Sequence, residues 1–262
     1  GIYVSKRWTY VVLSAVLLGA MVFAMVFKKK INLDLEKTTG NFNYGVSADH
    51  PEAVRVGMEV LAKGGNAVDA AIAVSYALGV VEPFGSGIGG GGLMVVHPNQ
   101  SKKSPTVFDY KETAGSDKIT ATGIGVPGLV RGMQQSHNKY GTLSMQELIQ
   151  PSISLCEKGF EVKDLLTRRL TDASYRLNPS QMPHLFPNGK PIQPKSVLKQ
   201  EDLASTLKRI QKEGVSAFYG GKIASDVARV SGGLQTSDIT SYKAIQTKPI
   251  KAKVGDYEMI TV

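Results

Sequence analysis

Val60-Leu-Ala-Lys-Gly-Gly-Asn-Ala-Val-Asp-Ala-Ala71 and the later run Ser86-Gly-Ile-Gly-Gly-Gly-Gly92 are the stretches whose reading decides the fold. Gly64-Gly65 stops a helix that His50-Pro51 opens, with proline at its first position and Val54, Met58 and Leu61 at helical spacing. Asn66 is placed to cap a second helix, with Asp69 three residues on. From Ala67 to Val81 that helix is apolar nearly all round, Asp69, Ser75 and Tyr76 apart, so it belongs inside the protein. It is too short to cross a bilayer.

Gly87 to Gly92 also fits the G-x-G-x-x-G string of dinucleotide sites, which needs a strand before it and a helix N-terminus after it to hold a pyrophosphate. Here the order is reversed, with a buried helix before and a strand after. The run therefore reads as a connection without side chains, where backbones or a substrate approach closely. Leu93 to His97 and Thr106 to Tyr110 form a hairpin across the polar turn Pro98 to Pro105. Ser144-Met-Gln-Glu147 is a capping box opening a helix toward Gly159, and Asp202 to Gly214 carries Leu203, Leu207 and Ile210 on one helical face. The class is α+β, with helices dominating the C-terminal half.

Hydrophobic residues make up 42% of the 262 positions, enough for a large core and unlike a disordered chain. The net charge of +9 would suggest nucleic acid if it were spread over a folded face. Five of those charges, on Lys6, Arg7, Lys28, Lys29 and Lys30, instead flank one uncharged stretch, Trp8 to Phe27. That stretch is long enough for a transmembrane helix, and it runs into the lysines without a small-residue cleavage site. The expected organisation is a flank at 1–7, an anchor at 8–27, a polar stalk at 28–44 and a globular region at 45–262. Both flanks of the anchor are basic, so the charge rule selects neither side of the membrane. Gly1 in place of methionine, and a last segment Lys253 to Val262 that reads as a strand cut short, suggest a piece of a longer protein.

No catalytic constellation is complete in these residues. Cys156 is the single cysteine, lies in a helical pattern without an activating base, and reads as a small buried apolar residue. His50, His97, His137 and His184 are scattered, with no zinc-type spacing. Ser196-Val-Leu-Lys199 fits S-x-x-K without its companion motifs, and no G-x-S-x-G elbow is present.

Six blocks in order do carry a resemblance, Ser47 to Pro51, Val60 to Ala71, Ser86 to Gly92, Asp109-Tyr-Lys-Glu-Thr113, Gly125-Val-Pro-Gly128 and Glu157-Lys-Gly-Phe160, and Leu198 to Tyr219 extends it. Together they resemble the N-terminal half of the γ-glutamyltransferases. The short connector after Asp109-Tyr-Lys-Glu is most similar to the capsule poly-γ-glutamate depolymerases of that superfamily.

The resemblance implies an N-terminal-nucleophile fold, a four-layer αββα sandwich, cut from a precursor into large and small subunits. It places the nucleophilic threonine, in a Thr-x-His context, downstream of Val262, with its own α-amine as base. It implies a γ-glutamyl donor, glutathione or poly-γ-glutamate, a water or amine acceptor, and no cofactor, metal or nucleic acid. An enzyme acting on a wall-attached polymer would sit outside the cytoplasmic membrane on a single-pass anchor.

Within this chain the resemblance gives one substrate-binding residue, Lys111, where the family has an arginine that grips the substrate α-carboxylate. A guanidinium makes two parallel bonds to a carboxylate, whereas an ammonium is one mobile point charge. Losing one charge-assisted bond costs roughly 1–2 kcal/mol of affinity. The alternative to an enzyme is a non-catalytic capsule-assembly or membrane scaffold that retains the fold, which the sequence past Val262 would separate from it.

Overall fold

The computed structural model describes residues 43–99, 103–116 and 123–262. The expected anchor at 8–27 lies outside them, and among the described residues no helix is long and apolar enough to cross a membrane. From Val46 onward the described chain forms one unit.

Helix α1 (Pro51–Ala62) starts as expected at His50, whose Nδ1 accepts from the Glu52 N–H at 3.2 Å. Helix α2 (Ala67–Val81) is the centre of the core, with Ile72, Ala73 and Ala77 fully buried. It packs against α1, α3 (Leu129–Tyr140) and α4 (Met145–Lys158). A helix apolar on all sides can only be stabilised by such a position, because any exposed face would leave hydrocarbon in water.

The one carboxylate inside this helix is Asp69, which has no exposed surface. A buried carboxylate is tolerated when its lone pairs are all used. Asp69 completes the capping box by accepting from the Asn66 N–H at 2.9 Å. It also accepts from the Thr142 N–H at 3.0 Å, the Thr142 hydroxyl, and the Leu143 N–H at 3.4 Å. The side chain thus ties the start of α2 to the loop between α3 and α4. At the other end, Gln200 donates its amide to the Val80 carbonyl at 2.8 Å, closing the last turn of α2.

The expected hairpin is present as β1 (Leu93–Val96) and β2 (Thr106–Asp109), antiparallel, with Leu93 opposite Asp109. Strand β5 (Ile245–Thr247) adds to the far side of β2, giving the sheet order β1-β2-β5. The short strands β3 (Phe160–Glu161) and β4 (Val197–Leu198) pair beside α4. Helix α5 (Asp164–Ala173) follows β3, and the amphipathic helix expected from Asp202 runs as α6 (Glu201–Glu213), packed on α4. Shorter helices α7 (Val215–Phe218), α8 (Gly221–Ser231) and α9 (Thr236–Thr240) lead to β5.

The final segment differs from the single strand read in the sequence. It is a hairpin of β6 (Ile250–Val254) and β7 (Tyr257–Thr261), closed at Val254 opposite Tyr257. Gly255 takes φ +60° in the turn, a left-handed value that glycine adopts without steric cost and that a two-residue hairpin loop needs.

Because Asp69 ties the start of α2 to the loop between α3 and α4, Asp69→Ala should lower unfolding stability by about 3 kcal/mol, combining a lost cap with stranded donors. Asp69→Asn keeps one acceptor oxygen and should cost about half as much. Denaturant titration of both variants checks this, and equal losses below about 0.5 kcal/mol would remove Asp69 from its bridging role.

Candidate functional site

The segment after β2, Tyr110-Lys111-Glu112-Thr113, is held by its backbone from several sides. Tyr110 N–H donates to the Gly92 carbonyl at 2.9 Å, and Gly92 N–H returns a bond to the Tyr110 carbonyl at 3.2 Å. Two residues past Lys111, Thr113 and Val126 form an isolated antiparallel bridge, with Val126 N–H donating to Thr113 at 2.7 Å. Between these two points the Tyr242 hydroxyl donates to the Lys111 carbonyl at 2.9 Å.

Lys111 therefore sits on a fixed backbone with its side chain 60% exposed. Its N–H donates to Asp109 Oδ1 at 3.1 Å, and its ammonium pairs with Asp109 Oδ2 at 3.3 Å. At such exposure this ion pair holds the lysine only loosely, since surface pairs contribute about 0–1 kcal/mol. The ammonium is free to exchange Asp109 for another carboxylate.

Tyr242 is held in turn by an aromatic stack. Its ring lies 5.7 Å from that of Tyr219, at an interplanar angle of 10°. Tyr219 donates its hydroxyl to the Pro127 carbonyl at 2.8 Å and accepts from the Arg131 N–H at 3.2 Å. The Arg131 guanidinium lies over the Tyr219 ring, 4.5 Å from its centroid. Burial pushes the Tyr242 phenol up to about 12, reinforced by the Asp109 and Glu112 carboxylates and opposed by Arg131. Burial likewise raises Tyr110 to about 12 and moves Tyr219 in the same direction. All three phenols stay protonated at neutral pH, and those of Tyr219 and Tyr242 act as donors.

The glycine run makes this close assembly possible. The Gly90 carbonyl accepts from the N–H groups of Gly128 and Leu129, at 2.9 and 3.0 Å, and so fills the N-terminus of α3. Two of the donors that a phosphate would require are thus taken by Gly90, and the Arg131 N–H is taken by Tyr219. A Cβ on Gly91 would stand 2.3 Å from the Tyr110 carbonyl oxygen, and one on Gly128 would stand 1.9 Å from it. No side chain fits at either position without moving the strand end that carries Lys111.

Other sequence candidates stay apart from this site. Cys156 is fully buried in α4, and burial, with Glu157 nearby, pushes its thiol up to about 12, far from a reactive thiolate. His137 contacts the Leu143 carbonyl at 2.6 Å, while His50 caps α1. Among the described residues no group of three or more His, Cys, Asp or Glu side chains is placed to hold a metal ion. Tyr219, Tyr242 and the role of Pro127 were not read from the sequence. Their partners lie far along the chain, and no local pattern marks a tyrosine that hydrogen-bonds to a distant carbonyl.

The chain that folds in this way is matched over residues 53–262 by the family model described as Gamma-glutamyltranspeptidase. The chain belongs to this family. It is 47% identical over 238 residues to the capsule biosynthesis protein CapD proenzyme of Bacillus anthracis, covering 89% of this chain and 43% of that protein. It is 38% identical over 240 residues to the glutathione hydrolase proenzyme of Bacillus subtilis (strain 168), covering 82% and 41%. A crystal structure of the Bacillus anthracis transpeptidase enzyme CapD superposes with a TM-score of 0.80, covering 85% of this chain and 77% of that one. The Helicobacter pylori gamma-glutamyltranspeptidase structure, at 31% identity, gives 0.78 with 85% and 70% covered. The chain thus spans less than half the length of these curated relatives.

Two neighbouring glycines test the clamp. A Cβ at Gly89 meets open space, so Gly89→Ala should change stability by less than about 0.5 kcal/mol. Gly91→Ala must push the Tyr110 carbonyl aside and should cost about 1–3 kcal/mol. Denaturation midpoints that fall equally for the two variants would show that the close approach is not what this run secures.

Proposed function

We propose that this chain is the large-subunit portion of an enzyme that cleaves γ-glutamyl amide bonds, hydrolysing or transferring the γ-glutamyl group. The observation that carries this reading is the placement of Lys111: an exposed ammonium on a backbone fixed by Gly92, Val126 and Tyr242, with only a loose ion pair to give up. Such a group suits the α-carboxylate of a γ-glutamyl donor, since rigid support fixes the charge without a cost in backbone ordering on binding.

In this reading a threonine downstream of Val262 attacks the γ-carbonyl while its own α-amine takes the hydroxyl proton. Collapse of the tetrahedral intermediate expels the amine and leaves a γ-glutamyl ester, which water or a second amine then resolves. Backbone N–H groups of the small subunit, from the same precursor, would stabilise the oxyanion. That subunit would complete an αββα sandwich around the sheet β1-β2-β5. The β6–β7 hairpin supports this, because it exposes Ile250, Val254, Tyr257 and Met259, apolar side chains suited to cover by a further layer.

The donor we favour is a γ-linked glutamate polymer over glutathione. The Bacillus anthracis relative is by name a capsule biosynthesis protein, and the connector between Asp109 and Gly123 is short in this chain. A single-pass anchor at Trp8 to Phe27 would hold the enzyme at the outer face of the membrane, where such a polymer is found.

In the complete protein Lys111→Met should raise KM for a γ-glutamyl anilide severalfold with kcat little changed, the signature of lost uniform binding. Unchanged kinetics would take Lys111 out of the donor site. The 262-residue chain alone should turn over no γ-glutamyl anilide, and measurable turnover would sink the assignment of the nucleophile to downstream sequence.

A further inference from the structure

We propose that the cavity between α5 and the loop Pro83-Phe84-Gly85 is a second anchoring point for the donor, taking carboxylates of a γ-linked glutamate chain beyond the residue being cleaved. The inference rests on the γ-glutamyl reading above and extends it to a part of the molecule that reading does not use. The cavity encloses about 620 Å³, within the range of sites that hold small ligands. One wall is Pro83 to Gly85, which leads directly into the glycine run at Ser86. In sequence that wall is followed by the run whose Gly91 and Gly92 lie against Tyr110, the residue before Lys111.

Its chemistry matches one kind of ligand. Arg169 and Arg176 line it, and among the described residues neither makes an ion pair. The Arg169 guanidinium lies 5.9 Å from the centroid of the Phe84 ring, an orienting contact that leaves its donors available. Phe84, Leu170 and Met182 supply an apolar floor. A γ-linked glutamate residue offers a pendant carboxylate and two methylenes in its main chain, so it presents to one surface the groups that arginine forks and an apolar floor accept. Asp172 also lines the cavity and leaves it a net charge of one positive. Its carboxylate can accept from the amide N–H groups of such a chain, which a polyphosphate lacks. An inorganic polyphosphate therefore fits less well than a carboxylate polymer.

The test uses the complete protein and a fluorescently labelled γ-linked glutamate oligomer, with binding read by anisotropy at low salt and turnover read separately with a γ-glutamyl anilide. Arg169 and Arg176 are both exposed, so Arg169→Gln with Arg176→Gln should leave the thermal midpoint unchanged. The double variant should bind the oligomer about tenfold more weakly, as expected for lost charge-assisted contacts, while its anilide kinetics stay within about twofold. Phe84→Leu, which keeps an apolar floor but removes the ring beneath Arg169, should weaken binding in the same direction. Equal oligomer affinity for wild type and double variant, or no oligomer binding by the wild type, would overturn the proposal. So would displacement of the oligomer by single-stranded DNA of matched charge at equal concentration. If the wild type turns over no anilide yet binds the oligomer through these arginines, the cavity stands and the catalytic reading falls.

Discussion

The organisation of this chain depends on how closely other backbone approaches the carbonyl of Tyr110. That oxygen accepts from Gly92 and lies against Gly91 and Gly128, at distances where no Cβ fits. Three elements converge there: the glycine run, the end of β2 and the start of α3. Their backbones meet directly because side chains have been removed from the junction, and Gly90 then caps α3 with its own carbonyl. Main-chain contacts of this kind have few soft torsions, so the strand end carrying Lys111 is located more tightly than side-chain packing would locate it.

Much of this was legible in the sequence. Both N-terminal helices, their caps and the capping box at Ser144 rest on local rules whose partners lie within four residues, the hairpin pairs two strands across a single polar turn, and all of them stand where the sequence puts them. The reversed order around Gly87 to Gly92 was also enough to set aside a phosphate loop, and the filled N-terminus of α3 gives the structural reason. What remained hidden is non-local. Tyr242 reaches Lys111 across 131 residues of sequence, and Tyr219 reaches Pro127 across 92. A tyrosine in a short helical connection carries no mark of such a partner. The turn at Gly255 is of a different kind: a Gly-Asp pair inside a run of strand-forming residues is itself a local hairpin signal, and it divides the segment expected as a single strand.

The core follows a similar division between local and distant demands. An all-round apolar helix at 67–81 has no intrinsic orientation, because each face is as suited to burial as the next. Asp69 supplies the missing direction. Its carboxylate must find donors, and those at Thr142 and Leu143 exist on one side only, so satisfying the charge fixes the rotation of α2 against the loop leading to α4. One buried polar group thereby selects a single packing from several that hydrophobicity alone would accept. That selection also reaches the site, since α2 ends at the loop from which the glycine run departs.

Fixing position 111 by its main chain has a further effect on how recognition can be tuned. The Lys111 N–H bonds to Asp109, the carbonyl accepts from Tyr242, and the flanking residues are paired, while the side chain projects into solvent with a single loose partner. The scaffold therefore holds the residue chiefly through its main chain, with most of the side chain exposed. A lysine or an arginine can occupy the position without altering the clamp, and the difference between them falls wholly on the ligand: one mobile charge against a planar two-pronged donor. For a small donor held at one carboxylate, the weaker grip of lysine lowers affinity directly. For a polymer held at several carboxylates, it is offset by contacts farther along the chain, because the second contact forms at high effective concentration once the first has been made. Under the proposed function, Lys111 and the arginines of the cavity beside Phe84, which form no ion pair among the described residues, would be parts of one arrangement in which affinity is distributed along the ligand and the residue next to the chemistry releases its product more readily.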